Sequence, residues 1–384
     1  TADNWGFTAT PDPNSNLFGG GIVFGTGYPI TTGAFDSSFG GGTGFFPMDA
    51  AITKFNASGS ALLYSTFLGG AGNETPHSIV SAPNGELYIY GVTSSANFPI
   101  TTGAFDNSFN GGPYQLQNEL EFNGSDIYVA RLNPSGTTLL SSTFIGGTGT
   151  DGLNTTTLNY NYGDQFRGEI MLDSLNNVYI ASCTRSTNFP TLNAFQANKS
   201  AGQDGVIFKL NASFSSLQFS SYYGGNNSDA CYSVKLDTLG AIVFAGGTCS
   251  NNLSGTSGAY QPSFQGGKTD GFVVKLVPSG TSIQKASYVG ASNYDQVFFV
   301  EIDRLNQIFL LGQSVGGTFP VYNAPYSNPG SSQFILKLNP NLTTNLASTV
   351  IGNGSPSINI SPAAFLVDIC GNMYVSGWGA NILQ

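Results

Sequence analysis

Charge is what this sequence has least of. Only 9% of its 384 residues are charged, against roughly 25% in an average soluble domain. Lysine and arginine total 12 against 22 acids, for a net charge of −10. So few cations cannot neutralise a run of phosphates, which argues against nucleic-acid binding. The same shortage argues against docking on an anionic membrane face. No stretch approaches the roughly 18 apolar residues a spanning helix needs, so membrane insertion is not expected. Histidine is nearly absent. The one copy, His77, has no Ser/His/Asp arrangement around it and reads as structural, so an enzyme is not the first expectation.

Cysteine is also scarce. Four residues are too few for a disulfide scaffold, and no CxxC spacing suggests zinc. Cys231 and Cys249 flank one expected hairpin and are expected to form a disulfide. Cys183 and Cys370 are expected to stay unpaired. Helical periodicity is missing throughout, which excludes a helical solenoid.

What is present is repetition. The strings "GSDIYVARLNPSG", "AGQDGVIFKLNASF" and "GGKTDGFVVKLVPSG" are variants of one sentence. Landmarks recur in fixed order. A small residue and an aromatic come first, at Ala34-Phe35, Ala104-Phe105, Ala194-Phe195 and Ala259-Tyr260. An acid then precedes a base by five residues, at Asp49/Lys54, Asp126/Arg131, Asp204/Lys209 and Asp270/Lys275. A fifth copy keeps Lys337 with Ser332 in place of the acid. Next come "LLYSTFLGG" and its relatives, and last a turn with an aromatic strand such as "LDSLNNVYIAS". Successive basic residues lie 77, 78, 66 and 62 positions apart.

Each unit therefore holds four short β-branched or aromatic runs separated by Gly, Asn, Asp or Pro turns. Four antiparallel strands repeated around a ring is an all-β fold, the β-propeller. The chain is expected to supply five full blades plus two strands of another, in a ring of six to eight, as a single domain. The expected divisions are 1–27 for the last two strands of a blade, then 28–97, 98–188, 189–252, 253–318 and 319–384 for blades one to five. They assume that the long connection, as in "STNFPTLNAFQANKSAGQDG", runs from an outer strand to the inner strand of the next blade. The two strands left over imply a piece of a longer protein.

The pattern "DGFVVKL…PSG…YVG…D…G" resembles the bacterial propeller repeat called SBBP, over nearly the whole chain. The stretches "DNWGFTAT", "YPITTGAF", "GDQFRGEI" and "DICGNMYVSGWG" further resemble the N-terminal region of large surface proteins linked to type IX secretion and gliding motility. That resemblance implies an exported, extracellular module at the bacterial cell surface, acting in adhesion or as a scaffold. Its expected partners are a protein or glycan and other domains of the same polypeptide. It implies no catalytic residues.

Two groups of candidate residues follow. One loop face is expected to gather Asp49, Asp126, Asp204 and Asp270 near the axis, with Glu74, Asp151, Asp229 and Asp295 from the next loops. Repeated carboxylates could hold Ca²⁺, or could simply cap turns and lock blades together. They also leave open a carbohydrate-active enzyme working through a carboxylate pair. The second group comes from insertions in the second repeat, "YQLQNELEFNG" and "DGLNTTTLNYNYGDQF". These are expected to bring Tyr114, Leu116, Leu120, Phe122, Leu158, Tyr160 and Tyr162 together as a binding surface, or to pack on each other as a cap. A purely architectural unit of a surface assembly is the third reading.

Overall fold

The structure, a computed structural model, describes residues 4–42, 44–117, 119–316 and 318–379. The chain is a β-propeller, and no α-helix occurs among the described residues. Sheet 1 holds β1 (Asn4–Pro11), β2 (Leu17–Val23), β3 (Asp49–Phe55) and β4 (Leu62–Leu68). Sheet 2 holds β5 (Glu74–Ser81) and β6 (Leu87–Thr93). After the small hairpin β7 (Tyr114–Gln117) and β8 (Leu120–Asn123), it is completed by β9 (Asp126–Leu132) and β10 (Leu139–Ile145). Sheet 3 runs β11 (Glu169–Leu172), β12 (Val178–Thr184), β13 (Asp204–Leu210) and β14 (Leu217–Tyr223). Sheet 4 runs β15 (Asp229–Leu236), β16 (Ile242–Thr248), β17 (Asp270–Leu276) and β18 (Ile283–Val289). Sheet 5 runs β19 (Asp295–Ile302), β20 (Ile308–Ser314), β21 (Gln333–Leu338) and β22 (Asn345–Ile351). Sheet 6 shows, among the described residues, β23 (Ile360–Val367) and β24 (Met373–Gly379).

These sheets correct the expected blade divisions, which are displaced by two strands. The long connection does not leave the blade. It joins the second strand to the third, and those two strands pair directly, Thr184 facing Asp204 and Val178 facing Leu210. The blade-to-blade step is instead the short "GG" loop, as between β14 and β15. "DGVIFKL" is therefore a third strand and not the innermost one. The innermost strands are the first of each sheet, which touch one another in the order β1, β5, β11, β15, β19 and β23. The incomplete sheet thus lies at the C-terminal end of the described chain.

The long connection has a physical use. It turns back along the outermost strand of its own sheet and covers that edge. Leu192 exchanges both backbone bonds with Ser220, at 3.0 and 2.9 Å, and Tyr322 does the same with Ser348. An edge strand so covered cannot pair with another chain. The aromatic after the small residue then reaches the neighbouring blade. The Phe105 N–H donates to Phe214 O at 2.7 Å and the Tyr260 N–H to Leu342 O at 2.8 Å, each in a turn of the following sheet. Their rings pack on the clusters between sheets. Those clusters contain fully buried Tyr90, Phe208 and Phe334, each contributing roughly 1.5–3 kcal/mol by removal from water.

The expected Cys231–Cys249 disulfide does not form, and all four cysteines are free. Cys231 packs between sheets 3 and 4 beside Val234 and Phe272. Cys249 lies past the end of β16, in another cluster with Leu158, its Sγ 3.6 Å from Thr157 Oγ1.

Candidate functional site: the axial cavity

Five of the six innermost strands carry an irregularity at the same place. Pairing with the second strand slips between Gly6 and Thr8, Pro76 and Ser78, Cys231 and Ser233, Val297 and Phe299, and Pro362 and Ala364. One residue is skipped in each case: Phe7, His77, Tyr232, Phe298 and Ala363. A β-bulge re-aims the skipped side chain, and here it aims it at the axis. In sheet 3 the matching position is Gly168, just ahead of β11, where a Cβ would lie 2.5 Å from the Tyr90 hydroxyl. All six line one cavity of about 590 Å³ along the axis, within the size range of small-molecule sites.

The residue after the bulge joins the blades. The Ile170 N–H donates to Ser78 Oγ at 3.4 Å, the Val234 N–H to Glu169 Oε2 at 2.8 Å, and the Val300 N–H to Ser233 Oγ at 3.1 Å. Glu169 also meets Lys235, which lies 3.5 Å from Glu301. Burial pushes Glu301 up to about 7; Lys235 opposes that and Glu169 adds to it.

The insertion between β10 and β11 folds over the cavity mouth. Its centre is buried Asp164, which accepts from the Tyr160 and Asn161 N–H groups at 3.1 and 2.7 Å and from Arg167 Nε at 2.5 Å. Arg167 Nη2 crosses to Pro362 O at 3.0 Å, and its guanidinium lies 3.9 Å over the Phe298 ring. One arginine therefore links the insertion with sheets 5 and 6. At the mouth Tyr162 stands between two tryptophans, its ring centre 6.4 Å from Trp5 and 6.3 Å from Trp378. All three are substantially exposed, at 38% for Trp5, 39% for Tyr162 and 56% for Trp378. Deeper in, the Tyr232 hydroxyl donates to Gln296 Oε1 at 2.7 Å. His77 bonds Thr75 through Nε2 at 2.9 Å, while its Nδ1 is buried without a partner. Burial lowers its pKa to about 3, so the ring is neutral.

The expected insertion surface is divided by the fold. Leu120 and Phe122 are buried in a cluster with Leu153 and Phe166, and Leu158 is buried beside Tyr232 and Phe298. Tyr160 stacks on Tyr294 at 4.1 Å. Tyr114 and Leu116 are exposed on the β7–β8 hairpin. Only Tyr162 reaches the cavity mouth. The two insertions do meet, through Asn159 Nδ2 and Gln117 Oε1 at 3.3 Å and through Phe122 and Phe166. Sequence reasoning missed Trp5, Trp378, Arg167, Tyr232 and Phe298. The available signal was the rarity of tryptophan, of which the chain has two.

None of the eight loop-face acids lines the axial cavity. They lie sealed between sheets, in the pairs Asp49/Glu74, Asp126/Asp151, Asp204/Asp229 and Asp270/Asp295, all fully buried. Backbone amides hold the first of each pair: Gly40 and Gly41 on Asp49, Asn110 and Gly111 on Asp126, Ser200 on Asp204, and Gln265 on Asp270. A T-x-S sequence at the end of the second strand holds three of the others. Thr93 and Ser95 donate to Glu74, Thr184 and Ser186 to Asp151, and Thr248 and Ser250 to Asp229. Among the described residues no group of three or more acidic, His or Cys side chains is arranged to hold a metal. The calcium expectation therefore meets two carboxylates per junction and no third. Burial raises all eight: Asp49, Asp204 and Asp295 to about 6, Glu74, Asp126, Asp151 and Asp229 to about 7, and Asp270 to about 8.

No protein-family model matches the chain, and no curated protein sequence matches it. Among solved structures it is similar to the NanB sialidase of Streptococcus pneumoniae, with a TM-score of 0.48 at 8% identity over 98% of this chain. The chain spans 65% of that sialidase's length. An ulvan lyase of polysaccharide lyase family PL25 follows at 0.44 and 10%, covering 96% of this chain and 78% of the lyase. A DUF4221 protein of Bacteroides vulgatus follows at 0.39 and 9%, covering 96% and 91%.

Proposed function

We propose that the chain is a glycan-binding propeller of an exported bacterial surface protein, with the sugar held at the mouth of the axial cavity. The observation that carries this reading is the exposed Trp5–Tyr162–Trp378 trio. Rigid aromatic faces cover apolar sugar faces at low entropy cost. The polar groups below them, the amide of Asn4 and the hydroxyl of Ser361 among the lining residues, suit sugar hydroxyls. The SBBP-like repeat supports export and surface display.

A glycan array tests this. The wild-type chain is expected to bind a defined set of oligosaccharides, and Tyr162→Ala to lose roughly tenfold in affinity, the scale of one aromatic contact. Binding that survives loss of all three rings contradicts the reading.

A second reading is enzymatic, and the cavity changes its terms. The loop-face carboxylates are sealed between blades, and among the described residues no Asp or Glu lines the cavity. Acid–base work on a bound glycan would fall to His77 and Tyr232, with the Arg167 guanidinium able only to steady negative charge. Cleavage of an array-selected polysaccharide, lost on His77→Ala with binding intact, would establish it.

A further inference from the structure

In the five complete sheets an acid and a base join the second and third strands, and in four of the five a ring makes the contact three-way. A basic residue of the third strand meets an acid of the turn that precedes the second strand. Lys54 is 2.9 Å from Asp12, Lys209 3.1 Å from Asp173, Lys275 2.8 Å from Asp237, Lys337 3.5 Å from Asp303, and Arg131 3.8 Å from Glu86. In four of the five it also lies over the ring of the second-strand residue opposite, 4.5 Å over Phe18, 5.7 Å over Tyr88, 4.6 Å over Tyr179 and 4.5 Å over Phe309.

Sheet 6 has two members of this contact and lacks the third. Asp368 opens the turn before β24 with the same bonds that Asp173 makes. Its Oδ1 accepts from the Asn372 N–H at 2.8 Å and its Oδ2 from Asn372 Nδ2 at 2.9 Å and the Tyr374 hydroxyl at 3.2 Å. In sheet 3 the corresponding distances are 2.9, 2.9 and 3.4 Å, with Tyr179 as the ring. Tyr179 is 4% exposed, Tyr374 55%. No cation meets Asp368 among the described residues. Among the described residues the far edge of β24 has no partner strand, and the whole strand is exposed.

We propose that this edge is a docking site for a β-hairpin of the repeat's own pattern. Its first strand would read Asp-Gly, three mainly apolar residues, Lys and Leu. In the register of β16 with β17, leucine falls opposite Met373, lysine opposite Tyr374 and beside Asp368, and glycine opposite Trp378. A second copy docked edge to edge through β24 fits less well. The strand "MYVSGWG" carries no cation, so Asp368 would remain unanswered. Main-chain ladder bonds would supply affinity and the lysine the register.

The test uses the hairpin of residues 270–289 as a labelled free peptide, titrated onto the chain by fluorescence anisotropy. Saturable binding is expected, weakened about tenfold by Lys275→Asp in the peptide or by Asp368→Lys in the chain, and recovered when both changes are present. Because a free hairpin can be poorly formed, a chimera in which residues 249–289 follow residue 379 gives a second readout. Its melting temperature is expected to rise above that of the chain, and Asp368→Lys to remove the rise. Absence of both effects, binding indifferent to the charge swap, or self-association through β24 that the peptide cannot displace would each overturn the proposal.

Discussion

Asp204 and Asp229 come from consecutive blades and converge on the backbone of one glycine. A Cβ at Gly224 would lie 2.7 Å from Asp229 Oδ2 and 2.8 Å from Asp204 Oδ1. The same crowding recurs at Gly69, Gly146 and Gly290, which accounts for the first glycine of the recurring loop. Only a residue without a side chain lets the chain pass between the two acids.

Gly224→Ala is therefore expected to destabilise the ring by about 1–3 kcal/mol, the ordinary range for overpacking a tight site. Thermal unfolding of the variant checks this. An unchanged melting temperature would mean that the carboxylates move apart freely.

Stability should fall as pH rises above neutrality. The eight paired acids have folded pKa values near 6 to 8, above their ordinary values, because burial disfavours the charged form. The folded state then binds more protons than the unfolded one. That contribution is complete below the unfolded carboxylate range and is lost as pH passes the folded values. His77 works in the opposite sense, but only below its ordinary value of 6.5. A higher melting temperature at about pH 6.5 than at about pH 9 is the expected result.

Glu169 and Glu301 flank Lys235 but should respond differently to substitution. Glu169 also accepts the Val234 N–H and the Ser233 hydroxyl, so Glu169→Ala strands these two donors and leaves Lys235 with Glu301 alone. A loss of about 2–3 kcal/mol is expected, below the value for a fully buried pair because these side chains keep partial exposure. Glu301 is pushed up to about 7, so near pH 6 Glu301→Gln should cost little. Denaturant unfolding of the two variants side by side decides.

The architecture was legible because every blade repeats the same strand pattern, and five copies reinforce one another. The division into blades was not. Connection length suggests a blade boundary at the long segment after Thr184, whereas that segment packs along the outer edge of its own sheet and the two-glycine loop carries the chain onward. The candidate site was hidden for a related reason. Phe7, His77, Tyr232 and Phe298 occupy one structural position and all carry aromatic rings, but Gly168 and Ala363 break the series, so repeat comparison passes over them. Their common property is a bulge, which appears only once strands are paired. Tyr162 was found because insertions depart from the repeat. Leu120, Phe122 and Leu158 were misplaced because apolar residues in an insertion can as easily form its core as its surface.

The central claim is that ligand sits against Trp5 and Trp378, and these are the two tryptophans of the chain. Intrinsic fluorescence therefore reports on the cavity mouth alone. Titration with an array-selected oligosaccharide is predicted to shift or quench the emission saturably, with the response reduced in Trp378→Phe and the apparent affinity weakened in Tyr162→Ala. A glycan that binds by calorimetry while leaving tryptophan emission unchanged would contradict the account.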